Sequence, residues 1–229
     1  MKMRYYSCNI ILAVTLIMLS GCATDDKKQV ETPPIEKTAD TIGLETNNNI
    51  YTSWEEFYKK EDISFALDSF FKNDTIIGEL HITSYKPNDS FYTNFGNLLV
   101  YNSDSTMFID AFSTNWIIER DRNGKLTARE GEIDQEVTVV DKKAQTRNRL
   151  FYCGPGCQVQ KVFWYNDDIV GIMGLMTEYS DEYYTPTIWF VNIHNGITIP
   201  YEYNSSVSII QANDFMKNHL ESRGVNVDY

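Results

Sequence analysis

Three patterns of hydrophobic and polar positions follow one another along the chain. The first is an apolar run over residues 10–19, preceded by Lys2 and Arg4. The second, residues 22–50, has no periodicity and no aromatic residue, and it holds Pro33-Pro34 and Asn47-Asn48-Asn49. The third begins at Tyr51 and carries every aromatic residue beyond Tyr6. Here the spacing is first helical. Ser53 with Glu56 three residues on reads as a capping box, and Trp54, Phe57 and Tyr58 share the face that follows. Residues 63–72 repeat that spacing with Phe65, Leu67, Phe70 and Phe71, which predicts a second short helix.

After Asp74 the period drops to two, with turn residues at short intervals, the signature of antiparallel sheets. The alternation predicts strands at 76–85, 97–102, 107–112, 116–120, 125–129, 136–141, 149–153, 158–165, 169–177, 187–193 and 197–203. Asn123-Gly124 and Asn195-Gly196 tolerate the positive φ angles of a type I′ hairpin turn. A short helix over 214–222, capped by Asn213 and stopped at Gly224, closes the chain. The fold class is therefore mainly β: antiparallel β-sandwich or meander sheets, with short N-terminal helices and a short C-terminal helix. A faint repeat offers an alternative. Tyr101-Asn102-Ser103-Asp104, a strand, Trp116-Ile117-Ile118 and Asn123-Gly124 are echoed by Tyr165-Asn166-Asp167-Asp168, a strand, Trp189-Phe190-Val191 and Asn195-Gly196. Each copy resembles three strands of a β-propeller blade, which implies a partial propeller-like arrangement. Two such units do not close a propeller, so a sandwich of two similar meanders leads.

The opening run is too short to span a bilayer as a helix, which needs about 20 apolar residues. With its basic start it has the layout of a secretory signal. Leu19-Ser20-Gly21-Cys22 resembles the lipobox of bacterial lipoproteins. That resemblance implies cleavage before Cys22, diacylglycerol on its thiol and an acyl chain, such as palmitate, on its new amine. Residues 1–21 are then a leader, residues 22–50 the lipidated Cys22 with a flexible tether, and residues 51–229 a single β-rich domain. Several acyl chains anchor far more firmly than the marginal hold of one. Ala23 after the cysteine resembles outer-membrane sorting, which implies a lipid-anchored protein of the cell envelope, at the periplasmic face or the cell surface. A tether of this composition cannot bury enough apolar surface to order itself, and it reaches roughly 30 Å as a coil.

Charge narrows the partners. The net charge is −12, and removing the leader, with two bases and no acid, takes it to −14. Nucleic acid is excluded as a partner, because phosphate binding needs a basic patch. A basic protein would be steered toward such a surface. An oxidising compartment also suits Cys153 and Cys157, which flank Gly154-Pro155-Gly156. Pro and Gly at these positions fit a type II turn closed by a disulfide. Three intervening residues, and a strand rather than a helix beyond, set the pair apart from thioredoxin-like redox sites.

No catalytic constellation emerges, so no catalytic residue is assigned. His81, His194 and His219 form no metal-pairing motif, although Glu79 and His81 two residues apart would share one face of a strand. Ser69-Phe70-Phe71-Lys72 matches Ser-x-x-Lys, and Tyr92-Thr93-Asn94 mimics a second element, but no Lys-Thr-Gly follows. Asp121-Arg122-Asn123-Gly124 starts like a calcium loop and lacks the later ligands. Calcium is the one cofactor left open, and no metal ligand is assigned. With 32 acidic residues a glycosidase pair cannot be nominated. The candidate binding segment is the tyrosine- and acid-rich stretch Tyr179, Asp181, Glu182, Tyr183 and Tyr184, since exposed tyrosine gives contact area at low entropy cost. The expectation is a non-enzymatic envelope protein that binds a protein or a glycan. An inhibitor or immunity-type protein against a basic toxin or lytic enzyme, and a hydrolase with dispersed carboxylates, are the alternatives.

Overall fold

The computed structural model describes residues 44, 49–60, 64–177 and 182–228. The leader, Cys22 and nearly all of the tether lie outside them, as do Tyr179 and Asp181. The chain forms helix α1 (Thr52–Tyr58), a 3-10 turn at Leu67–Ser69, and strands β1 (Phe70–Lys72), β2 (Ile76–Ile77) and β3 (His81–Ser84). Helix α2 (Asp89–Phe95) precedes β4 (Val100–Tyr101), β5 (Met107–Asp110), β6 (Trp116–Arg120), β7 (Leu126–Glu130) and β8 (Gln135–Asp141). Then come β9 (Thr146–Cys153), β10 (Cys157–Asn166), β11 (Ile169–Met176), β12 (Tyr183–Asn192) and β13 (Ile197–Tyr203). β14 (Val207–Ser208), helix α3 (Ile209–Ser222) and β15 (Val225–Val227) complete the order.

The protein is mainly β, with sheets that are antiparallel except at one pairing. The largest runs β1-β13-β12-β11-β10, with β2 and β14 added at its margins. A second runs β3-β9-β8-β5-β4, and a third, smaller one runs β15-β7-β6, in which β15 is parallel to β7. No barrel closes. The two large sheets are tied face to face: Phe151 of β9 packs on Trp189 of β12, and Asn148 Nδ2 donates to the Ile193 carbonyl at 3.1 Å. The other face of the large sheet, with Phe163, Phe190 and Tyr203, lies under aromatic residues that include Tyr51 and Phe65. Buried aliphatic positions on β5, β8, β11 and β12 fill the interior.

One buried amide organises the join between α1, α3 and the large sheet. β10 has a bulge between Val159 and Lys161, which leaves Gln160 unpaired in the ladder and fully buried. Gln160 Oε1 accepts from Trp54 Nε1 at 2.7 Å and Tyr58 Oη at 3.0 Å. Its Nε2 donates to Gln158 Oε1 at 2.9 Å and to the Ala212 carbonyl at 3.3 Å. Burial raises the Tyr58 phenol well above its ordinary range, so its hydroxyl stays a donor.

Several sequence expectations need correction. The second helix at 63–72 is a 3-10 turn followed by a strand, because Phe70 and Lys72 pair with Tyr203 and Tyr201 and ladder bonds override the local spacing. The strand at 76–85 breaks after Ile77, where the Gly78 amide turns to the Gly196 carbonyl, so Glu79 and His81 do not share a strand face. Helix α2 appears where no element is predicted, capped by Asn88 accepting from the Phe91 amide at 2.8 Å. The strand at 97–102 shortens to β4 behind a 3-10 turn at Gly96–Leu98. Helix α1 has no side-chain cap; Ser53 lies inside it and accepts from Lys161 Nζ. Helix α3 starts five residues early, at a capping box formed by Ser208 and Gln211. In the Asn-Gly turns only Gly124 and Gly196 have positive φ, +82° and +71°, and Asp121 and Asn192 side chains accept from the turn amides. These are therefore not type I′ turns. The repeat also diverges: β11 pairs with β12, whereas β5 pairs with β8 and the β6–β7 hairpin leaves that sheet.

Two predictions follow from this packing. Gln160→Leu leaves the buried Trp54 and Tyr58 donors without acceptors, at a cost of about 1–3 kcal/mol each. Urea denaturation should show a loss of about 4 kcal/mol, and a loss below about 1 kcal/mol contradicts the role of the amide. The second concerns His219, which stacks on Phe215. Its burial, then the Arg223 and Lys161 cations, hold its imidazole down at about 4. An unfolded histidine takes its proton near pH 6.5, so acidification favours the unfolded chain. The stability loss starts below about pH 6.5 and is complete near pH 4, with a ceiling of about 3 kcal/mol. His219→Gln should flatten the fall in urea midpoint between pH 7 and pH 4.5; equal falls in both proteins contradict this.

Candidate functional site

A concavity lies where the three sheets meet α3. It has a volume of about 270 Å³. One wall comes from the entry to β6, Asn115 and Trp116, and from the segment leaving β7, Glu130 to Ile133. The opposite wall is the turn into β10, with Pro155, Cys157 and Gln158. Tyr184 of β12 and Ile209 and Met216 of α3 close the remaining side.

Gln135, the first residue of β8, forms the back of the cleft. β10 is the edge of its sheet, so Val159 turns one amide and one carbonyl away from β11. Gln135 Oε1 accepts from the Val159 amide at 3.0 Å, and its Nε2 donates to the Val159 carbonyl at 3.2 Å and the Ala111 carbonyl at 3.0 Å. One side chain thus stands in for a neighbouring strand. Gly174 on the far side of β10 is forced by the same crowding: a Cβ there would lie 2.3 Å from the Gln158 carbonyl oxygen.

Cys153 and Cys157 stand at disulfide distance, with Cα atoms 5.2 Å apart. The turn between them is closed by the Cys157 amide donating to the Gly154 carbonyl at 3.0 Å. Gly156 does not have positive φ, so this is not the type II turn that its sequence suggests. The bridge joins the end of β9 in one large sheet to the start of β10 in the other. It thereby fixes one wall of the cleft.

Part of the lining is apolar: Ile133, 76% exposed, with Tyr184, Ile209 and Met216. Glu130 and Glu132 stand in solvent in the same wall. Inside, Asn115 Oδ1 and Trp116 Nε1 are closed off from solvent and have no hydrogen-bond partner. Such orphaned groups cost about 1–3 kcal/mol each and are uncommon in native interiors.

Of the candidate binding residues, the structure places Tyr184 at this cleft; Glu182 and Tyr183 are exposed and do not line it. Tyr184 is part of its wall, and Tyr183 pairs with Ser208 beside α3. Glu130, Glu132, Ile133 and Trp116 are site residues that sequence reasoning missed. An isoleucine in the acidic segment Glu130-Gly131-Glu132-Ile133 is the one signal that pointed there. The remaining chemical candidates stand in other settings. Ser69 and Lys72 sit on a turn and a strand, not on a helix. His194 pairs with Asp168 at 2.9 Å on the surface. Asp121 spends its carboxylate on the Asn123 and Lys125 amides. Among the described residues no three His, Cys, Asp or Glu side chains gather as a metal site.

Replacing both Cys153 and Cys157 with Ser should lower stability by about 2 kcal/mol, the loop-entropy value for so short a ring. Urea denaturation measures this, and an unchanged midpoint contradicts it.

No family model matches the chain, and no curated protein or solved structure matches it significantly.

Proposed function

We propose that this chain is a lipid-anchored envelope protein whose β-rich domain binds a basic protein partner in the cleft and performs no chemistry on it. The observation that carries the reading is the cleft itself, lined by the exposed Ile133 together with Tyr184, Ile209 and Met216, with the exposed Glu130 and Glu132 in its wall. Exposed apolar side chains grouped around a concavity are the usual make-up of a binding surface. The charge of −12 supplies the complement to a basic partner and speeds its approach. An inhibitor or immunity-type protein that neutralises a basic toxin or lytic enzyme fits this chemistry. A hydrolase reading draws less support, because Glu130 and Glu132 stand in solvent, without the desolvated setting that a glycosidase acid uses. The anchor rests on the lipobox around Cys22.

The test is capture from envelope and secreted extracts with the full chain as bait. A basic protein should be captured, released by raised salt, and lost when Glu130 and Glu132 become Lys or Ile133 becomes Asp. Affinity should fall at least about tenfold between 50 and 500 mM salt. A partner that ignores all three changes, or no partner, overturns the reading.

A further inference from the structure

A second concavity lies on the outer face of the five-stranded sheet. Part of that face is covered by α2, whose Phe91 and Tyr92 pack on Leu99, Phe108 and Val140. Beside it is an open hollow of about 270 Å³ lined by His81, Thr83, Glu136, Arg147 and Arg149. The register pairs His81 with Arg149 and Thr83 with Arg147, and alternate residues share a face, so these four side chains stand together. The two arginines are spaced by about 7 Å along β9.

The arginines are under-neutralised. Arg149 Nη1 meets Glu136 Oε1 at 2.9 Å. Arg147 Nη2, closed off from solvent, lies 3.7 Å from Oε2 without a hydrogen-bond partner, while the rest of the Arg147 side chain is partly exposed. One carboxylate therefore serves two guanidinium groups. Tyr85 lies 5.3 Å from the Arg147 guanidinium, and Tyr152 lies 5.8 Å from that of Arg149. These rings hold the guanidinium planes in place. Two other acids face the region. Asp110 is buried and committed to Ser113 and the Phe112 amide, and Asp134 stands beside Tyr152. The rest of the acidic surface is screened beyond about 8 Å at physiological salt.

We propose that this open face binds a saccharide unit carrying a single carboxylate, at a site separate from the cleft. Arg147 takes the carboxylate, for which a guanidinium fork is better matched than an ammonium. Tyr152, 53% exposed, offers a flat surface to the C–H face of the sugar ring. His81 and Thr83 meet the hydroxyl groups. A polyanion is disfavoured by the surrounding charge, whereas one carboxylate fits the local surplus.

Calorimetry on the purified full chain at 50 mM salt tests this, with galacturonate, neutral galactose and inorganic phosphate as probes. Galacturonate should bind, and galactose should bind at least about tenfold more weakly. Arg147→Lys should weaken galacturonate about tenfold, and Tyr152→Ala, at an exposed position, should weaken it without altering the melting temperature. Glu136→Gln removes the competing carboxylate and should tighten binding about threefold, a gain that misfolding does not produce. Absence of galacturonate binding, equal binding of the neutral sugar, or indifference to Arg147→Lys and Tyr152→Ala overturns the proposal. Binding of phosphate without galacturonate overturns it also, and marks a simple anion site.

Discussion

The edge of a β-sheet carries a row of amides and carbonyls that need partners, and in this protein the start of β10 is such an edge placed in the interior. Two glutamine side chains resolve it. Gln135 reaches from the five-stranded sheet and pairs with both backbone groups of Val159. Gln160, turned inward by a bulge in β10, binds Trp54 and Tyr58 of α1 and the Ala212 carbonyl of α3. A fully satisfied buried network specifies one arrangement, and the same network half satisfied is costly. The relative placement of the sheets and of both helices at this corner follows from these two amides.

The cleft is a consequence of that corner. Gln135 is its back, Gln158 and Val159 one wall, and the Cys153–Cys157 turn fixes where that wall begins. The entry to β6 closes the other side, held by the Gly131 amide donating to the Asn115 carbonyl at 2.8 Å. Asn115 Oδ1 and Trp116 Nε1 remain unpaired there.

The strands were legible where one face of a sheet is buried, because alternation then survives in the sequence, as in β6 and β7; β5 and β13, with consecutive buried residues, were legible as short apolar runs between turns. Residues 63–72 misled because Phe65, Leu67 and Phe70 reach the core from a turn and a strand as readily as from a helix. Helix α3 was trimmed because Ile209-Ile210 reads as strand, and only the Ser208–Gln211 box marks its true start. Alternation at Gln158-Val159-Gln160 concealed the bulge that buries Gln160. The cleft was half visible. Tyr184 was found through composition, whereas Glu130, Ile133 and Trp116 come together only through the β6–β7 hairpin, whose departure from its sheet no local pattern announces. Arg147 and Arg149 drew no notice, since their site depends on which strand lies opposite.

The most direct test of this account is hydrogen exchange at the Val159 amide, followed by NMR in the wild type and in Gln135→Ala. The account predicts that this amide exchanges as slowly as the central amides of β11, and that its protection drops by at least about a hundredfold in the variant while β11 stays protected. Fast exchange at Val159 in the wild type, or protection unchanged in Gln135→Ala, would contradict it.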